Sequence, residues 1–273
     1  MLREDFSSLF TPRVEFIVIS ICSILVVMIW VAAQGGAVSW DAFNHHIYLG
    51  RQAINGSRLL FDHFAVGGMS CQYPLGYAPL VAMLDAGWSG TAIFQMLAFL
   101  AALCAPACWL VMWSIVPFRN TTAFLIRLAG TILALSGVLW WKLLPQTSND
   151  AIGMTFAVWS ITLTMLCIDG SWWTSRPRIR MLACSLAGAL AGIGLVIKLT
   201  QLVGVLSAVC ILLFANTSWL ERCKYIAIFG ATALVIVLLT GWSWGYDSWI
   251  ACGSPIYPFL LEKFKILMPE SMK

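Results

Sequence analysis

Charge is what this sequence has least of. Lys, Arg, Asp and Glu make up 10% of its 273 residues, against 60% hydrophobic residues. A soluble domain carries about 25% charged residues, so the composition excludes that class and indicates an integral membrane protein. Histidine is scarcer still, with three residues. No CxxC pair and no Cys/His metal spacing occurs. There is no internal repeat, low-complexity tract or separate soluble segment. The net charge of +4 is scattered over short loops, which reads as membrane topology rather than nucleic-acid binding. The first apolar run is too long for a removable signal and lacks a small-residue cleavage site, so it reads as a signal anchor.

Cysteine is plentiful by contrast, with nine residues. Most lie inside apolar runs (Cys22, Cys104, Cys108, Cys167, Cys184, Cys210), where cysteine behaves as a small hydrophobe. Cys71 and Cys252 fall in loops assigned to the outer side, and a disulfide between them is open.

A membrane crossing needs ~20 mainly apolar residues. The runs 16–33, 91–116, 122–144, 151–168, 181–197, 202–215 and 225–245 read as seven spans, all helical because backbone groups in lipid must be satisfied internally. The run 77–88 is short and holds Pro79 and Asp85. It reads as a short span, a surface helix or a re-entrant one. If it does not cross, Arg3, Arg13, Arg119, Arg176, Arg178, Arg180, Arg222 and Lys224 all fall inside, as the positive-inside rule requires. The expectation is an all-α polytopic bundle forming one transmembrane domain over 1–273, with the N-terminus inside and the C-terminus outside. Gly188, Gly192 and Gly194 form a small-residue face for close helix packing. Trp140, Trp141, Trp172, Trp173, Trp242, Trp244 and Trp249 at span ends form an interfacial belt. Arg127, one turn inside its span, reads as a snorkelling residue.

The first outer loop, 35–90, is where ionisable groups gather. It holds all three histidines, His45, His46 and His63, with Asp41, Asp62, Arg51 and Arg58. An Asp a few residues past a span sits at the bilayer surface, within reach of a lipid head group and a water-soluble partner. Two further polar blocks open and close later spans. Asn149-Asp150 begins one, and Lys198-Leu199-Thr200 ends a glycine-rich one.

Together these blocks resemble the GT-C superfamily of membrane glycosyltransferases, and most closely its uncharacterised bacterial members. The first block is Asp41, Asn44, His46, Arg58 and Asp62, followed by Pro74 and Pro79. The second is Asn149-Asp150. The third is Gly194-Leu195-Val196-Ile197-Lys198-Leu199-Thr200, and the fourth Gly253-Ser254-Pro255-Ile256-Tyr257-Pro258-Phe259. The resemblance implies transfer of a sugar from a polyprenyl-phosphate carrier to a glycan, lipid or protein acceptor, at the outer face of a bacterial inner membrane, with inversion. It implies Asp41 as general base and Asp62 as a second acid that orients the site.

Each residue also has a plainer reading. Asp41 could cap a helix starting at Ala42. On a regular helix Asp41, Asn44, His45 and Tyr48 share a face, while His46 points about 100° from His45. The resemblance favours His46 and periodicity favours His45, so both remain, with Asn44, as sugar or phosphate contacts. Adjacent histidines are poorly spaced for a metal, so no cofactor is expected beyond an optional divalent cation. Arg58 could hold a phosphate or pair with Asp62 at i, i+4. Asn149 could cap its span with Asp150 on the helix dipole, or the two could hold the acceptor or a cation. Lys198 could snorkel or meet the carrier's phosphate. The rival functions are a non-catalytic or truncated membrane assembly partner and a lipid or solute transporter. The second would require mid-span charge and paired broken helices.

Overall fold

The computed structural model describes residues 11–36, 38–56, 69, 71–169, 176–257 and 259–266. Arg58, Asp62 and His63 lie outside the described residues. The described residues form helices and no strands. In chain order these are α1 Pro12–Gln34, a π-helical turn at Ala42–His46, α2 Ile47–Asn55 and α3 Ala78–Asp85. Then come α4 Gly90–Ala102, α5 Cys104–Ile115, α6 Thr121–Leu135, α7 Val138–Leu143 and α8 Asp150–Asp169. The chain closes with α9 Pro177–Ile197, α10 Leu202–Leu213, α11 Trp219–Cys252 and α12 Leu261–Ile266.

Helix starts follow local chemistry. The side chains of Thr11, Ser89, Asn120 and Ser218 accept from Val14, Ala92, Ala123 and Glu221 N–H groups at 3.4, 3.3, 2.8 and 3.3 Å. Each satisfies a donor that the first turn leaves orphaned. Gly253 ends α11 in the left-handed region, φ 82°, where glycine costs least.

Among the described residues five helical stretches are long and apolar enough to cross a membrane: α1, α4–α5 together, α8, α9 and α11. The run expected at 122–144 breaks at Ser136-Gly137 into α6 and α7, and the run expected at 202–215 yields the 12-residue α10. The helix within 77–88 has 8 residues, roughly 12 Å at 1.5 Å per residue. It is too short to cross and packs on α2.

Two devices hold the bundle. Gly188 and Gly192 let α9 lie directly on α11. A Cβ on Gly188 would come within 2.2 Å of Phe229 O, and one on Gly192 within 2.7 Å of Ala233 O. Gly194 is not part of that contact; a Cβ there would meet Phe156 at an ordinary 3.5 Å. The second device serves the α4–α5 break at Leu103, near Pro106. Trp159 Nε1 donates to Leu103 O at 2.8 Å, and Thr155 and Thr162 hydroxyls donate to Ala101 O and Ala107 O at 3.2 Å each. Side chains of α8 thus bond carbonyls on both sides of the interruption, as a low-dielectric setting demands.

Arg127 does not snorkel. It is fully buried, with Nη2 on Glu15 Oε2 at 2.8 Å and Nη1 on Val116 O and Phe118 O at 2.9 and 2.8 Å. Its guanidinium lies 3.9 Å from the Trp113 ring centroid. A carboxylate 112 residues earlier in the chain supplies an internal partner, so the side chain has no reason to reach for the interface. This lock ties the start of α1 to α6. Toward the other end of α1, Trp30 meets Trp141 of α7 edge to face at 5.5 Å.

Candidate functional site

The site is built from four segments that meet at one end of the bundle. The first is the turn after α1. Its helix is capped by Ser39, whose hydroxyl accepts from Ala42 N–H at 3.2 Å. Asp41 makes no capping bond, so its carboxylate, about half exposed, is free of main-chain duty. Asn44 donates back to Trp40 O at 2.7 Å. The following turn is π-helical, a geometry that recurs at functional sites. It changes the facing expected for a regular helix: both His45 and His46 are buried and touch, with ring centroids 4.4 Å apart.

His46 is the better fixed of the two. Its Nδ1 is 2.7 Å from Thr147 Oγ1, and its ring stacks on Tyr77 at 4.5 Å and 18°. Burial, reinforced by neighbouring His45, drops its pKa to about 4, so it is neutral at pH 7. Burial also lowers the pKa of His45, outweighing the pull of Asp41. The 3.9 Å between His45 Nδ1 and Asp41 Oδ1 is too long for a hydrogen bond. Burial and the carboxylates of Asp150 and Asp41 push the Tyr77 hydroxyl well above its ordinary pKa.

The second and third segments are the start of α8 and the end of α9. Lys198 forms an ion pair with Asp150. Asp150 also accepts from Ser148 Oγ at 2.5 Å and sits in the first turn of α8, where the helix dipole favours an anion. Asn149 does not spend its amide on its own helix. Its Nδ2 donates to Ile197 O at 3.0 Å, one of the carbonyls that the end of α9 leaves without a helical donor. Its Oδ1 is buried without a partner. Gly76 closes over this junction: a Cβ there would lie 2.4 Å from Asn149 Nδ2 and 2.9 Å from Ile197 O.

The fourth segment is the turn after α11. Cys252 and Cys71 form a disulfide with Cα atoms 6.3 Å apart. Tyr73 lies against Gly241 and Gly245 and donates its hydroxyl to Pro255 O at 3.1 Å.

Between these segments is a cavity of about 190 Å³, lined on its polar side by Gln72, Tyr73, Tyr77, Asn149, Lys198 and Tyr257. A second hollow of about 490 Å³ is lined by Leu195, Val196, Leu202, Val237, Ile256 and Leu260, among others. The two share Tyr73, Leu199 and Phe259 as a common wall. Asp41 does not line the polar cavity; its connection runs through His45 and His46 to Tyr77. Thus Asp41, His45, His46, Asn149, Asp150 and Lys198 come to one end of the molecule, while Asn44 is engaged within its own turn. Among the described residues no group of three or more His, Cys, Asp or Glu side chains could hold a metal.

Sequence reasoning missed Thr147, Gly76, and Tyr73 and Tyr77 as wall residues. Only the aromatic positions carried a signal, since each falls within two residues of a proline, Tyr73 of Pro74 and Tyr77 of Pro79. Comparison with known protein families, with curated proteins and with solved structures returned no match.

Proposed function

We propose that this chain is a membrane glycosyltransferase of GT-C kind, drawing a sugar from a polyprenyl-phosphate carrier at the outer face of the inner membrane. The observation that carries this reading is the junction of a small polar cavity with a larger apolar hollow across one shared wall. That pairing suits an amphiphile with a polar head the size of a sugar and a long hydrocarbon tail. Tyrosines, Asn149 and Gln72 offer hydrogen bonds to hydroxyls. Lys198 stands at the cavity with its charge directed to Asp150, so a phosphate there would share it. Asp150 keeps two other stabilising partners, Ser148 and the helix start, so the pair can open without stranding a bare carboxylate.

Seven crossings accompany this proposal. The Glu15–Arg127 lock and the Trp30–Trp141 contact mark opposite ends of α1, so α6 and α7 must carry the chain from one to the other. The start of α8 and the end of α9 meet at Asn149–Ile197, so α10 must return it before α11 rises to Cys252. With the N-terminus inside, as the distribution of Lys and Arg favours, this proposal has Asp41, Asp150, Lys198 and Cys252 outside with the C-terminal tail.

In the reaction, a carboxylate with no main-chain bonds takes the proton from the acceptor hydroxyl as that oxygen attacks the anomeric carbon, and the polyprenyl phosphate leaves. Asp41 fits this role by its free carboxylate and by the resemblance, which makes Asp62 a second acid that orients the site. The acceptor is a glycan, lipid or protein that approaches from the Asp41 side.

The test is a titration of labelled polyprenyl-phosphate sugar against purified wild type and Lys198→Ala. A phosphate contact present before and during reaction is uniform binding, so its loss raises KM with kcat nearly unchanged. The expected rise is roughly ten- to a hundredfold, the range for a charged hydrogen bond of about 1.5–3 kcal/mol. No turnover by wild type with any acceptor fraction of the native membrane would overturn the reading. An unaltered KM would remove Lys198 from it.

The transporter reading draws on one observation, the buried Glu15–Arg127 pair, because charge inside a membrane bundle is a functional feature by default. The Nη donors of Arg127 are bound to Glu15 and to two fixed carbonyls, its Nε is buried without a partner, and neither residue lines the polar cavity or the apolar hollow. It reads as a lock.

A further inference from the structure

The cavity wall made by Gln72, Tyr73, Tyr257 and Phe259 comes from two segments more than 180 residues apart. Neither segment is part of a long helix. What joins them is a compact set of links. The Cys71–Cys252 disulfide closes a sequence separation of 181 residues. Ser248, fully buried on α11, has its hydroxyl 3.3 Å from Cys71 O and 3.0 Å from Ser254 O, so one side chain reaches both segments. Tyr73 OH bonds Pro255 O at 3.1 Å. Gly241 and Gly245 lie under the Tyr73 ring; a Cβ on Gly245 would stand 2.8 Å from its hydroxyl. Tyr73 is two residues from Cys71 and borders both the polar cavity and the apolar hollow.

We propose that the wall is assembled by oxidation: closing the Cys71–Cys252 disulfide sets Tyr73 in position, and with the thiols reduced the polar cavity and the apolar hollow lose their common boundary. The Tyr73–Pro255 bond and the single Ser248 hydroxyl shared between Cys71 O and Ser254 O are weak on their own, about 0.5–1.5 kcal/mol net for each donor. The covalent link is what removes the freedom of the two segments to separate.

The chemistry is thiol–disulfide exchange. The two thiols give up two electrons and two protons to the disulfide of an oxidant, which becomes a dithiol, and the Cys71 Sγ–Cys252 Sγ bond forms. The oxidant required is a disulfide-bearing oxidoreductase of an oxidising compartment. The proposal therefore also assigns the Asp41 and Lys198 face to the side of the membrane away from the reducing cytosol. That assignment is independent of the distribution of Lys and Arg.

The inference deepens the proposed function but is tested without it. Wild type purified under non-reducing conditions is digested and mapped by mass spectrometry, which should find the peptides of Cys71 and Cys252 joined. Amide hydrogen exchange is then compared for oxidised wild type, wild type treated with a dithiol reductant, and Cys71→Ser/Cys252→Ser. Faster exchange is expected in both reduced forms at 71–77 and 253–257, with α8 and the interior of α9 unchanged. That unchanged core shows that the variant is folded. A smaller gain over the same segments is expected for Tyr73→Phe, which keeps the ring and the disulfide but loses the bond to Pro255.

Farnesyl phosphate serves as the ligand probe. If it protects 71–77 only in the oxidised protein, the wall belongs to an amphiphile site. If exchange responds to reduction but not to the probe, the wall stands and the ligand reading fails. Identical exchange in oxidised and reduced wild type, or mapping that finds both thiols free, overturns the proposal.

Discussion

Two of this protein's charged pairs, Glu15–Arg127 and Asp150–Lys198, are built in opposite ways. Glu15–Arg127 is sealed: the side chains are 8% and 0% exposed, and Arg127 also holds two main-chain carbonyls and rests on Trp113. Asp150–Lys198 is open: the side chains are 36% and 30% exposed, with Lys198 bordering a cavity. Both pairs bridge elements distant in sequence. The lesson is that access, not the presence of a charge pair, separates a structural link from a binding group. A sealed pair can only hold helices together, because any exchange of partners would strand a charge at low dielectric. An open pair can lend its cation to a ligand and recover it.

The comparison breaks first at Arg127. Arg127→Ala should cost about 3–5 kcal/mol of stability, the penalty for leaving a buried partner charge alone. Thermal unfolding in detergent measures it. The paired change Glu15→Gln with Arg127→Met should recover much of the loss. If Arg127→Ala unfolds like wild type, the pair is no lock and the transporter reading gains ground.

Next in size is a pH effect at the open end. The folded pKa of His46 lies near 4, below its ordinary value of 6.5. Between these values the unfolded chain binds the proton more readily, so stability rises with pH through that window. The contribution is complete above pH 6.5 and is lost as pH falls from 6.5 toward 4. It is on the order of 3 kcal/mol. His46→Phe, which keeps the stack on Tyr77, should flatten the profile between pH 4 and 6.5. An unchanged slope would mean that other groups control it.

Helix packing should respond less. Gly188→Val brings a branched side chain onto Phe229 O, and overpacking of this kind typically costs about 1–3 kcal/mol. The same change at Gly194, where the space is ordinary, should cost less. Equal losses would mean that backbone freedom rather than close approach governs this face.

Much of the fold was legible because it depends on local composition. Apolar length identified the five long helices, and the small residues Gly188 and Gly192 foretold their close packing. The run 122–144 was read as one span because hydropathy ignores backbone geometry. Gly137, with ψ 121°, ends the helix in the middle of an apolar stretch. The residues of the site were partly legible. Asp150 and Lys198 stood out as polar groups at span ends, but their pairing belongs to the α8–α9 contact. Asn149 looked like a cap for α8 and instead serves the last carbonyls of α9. The histidines were placed about 100° apart by a period that the π-helical turn does not keep. Thr147 and Gly76 carry no local signal, because each matters only through a neighbour far away in sequence.

The central claim is that the open end of the bundle performs sugar transfer from a lipid carrier, with Asp41 receiving the proton. The most direct measurement is turnover of a labelled polyprenyl-phosphate sugar by membranes holding equal amounts of wild type and Asp41→Asn. The amide preserves shape and, since Ser39 supplies the cap, should leave the turn intact. The account predicts turnover by wild type and a fall of about 10²–10⁴-fold in the variant, with unfolding temperature unchanged. Equal turnover by the two proteins would contradict Asp41 as the base and shift that role to Asp62, and absence of turnover by wild type would contradict the transfer reaction itself.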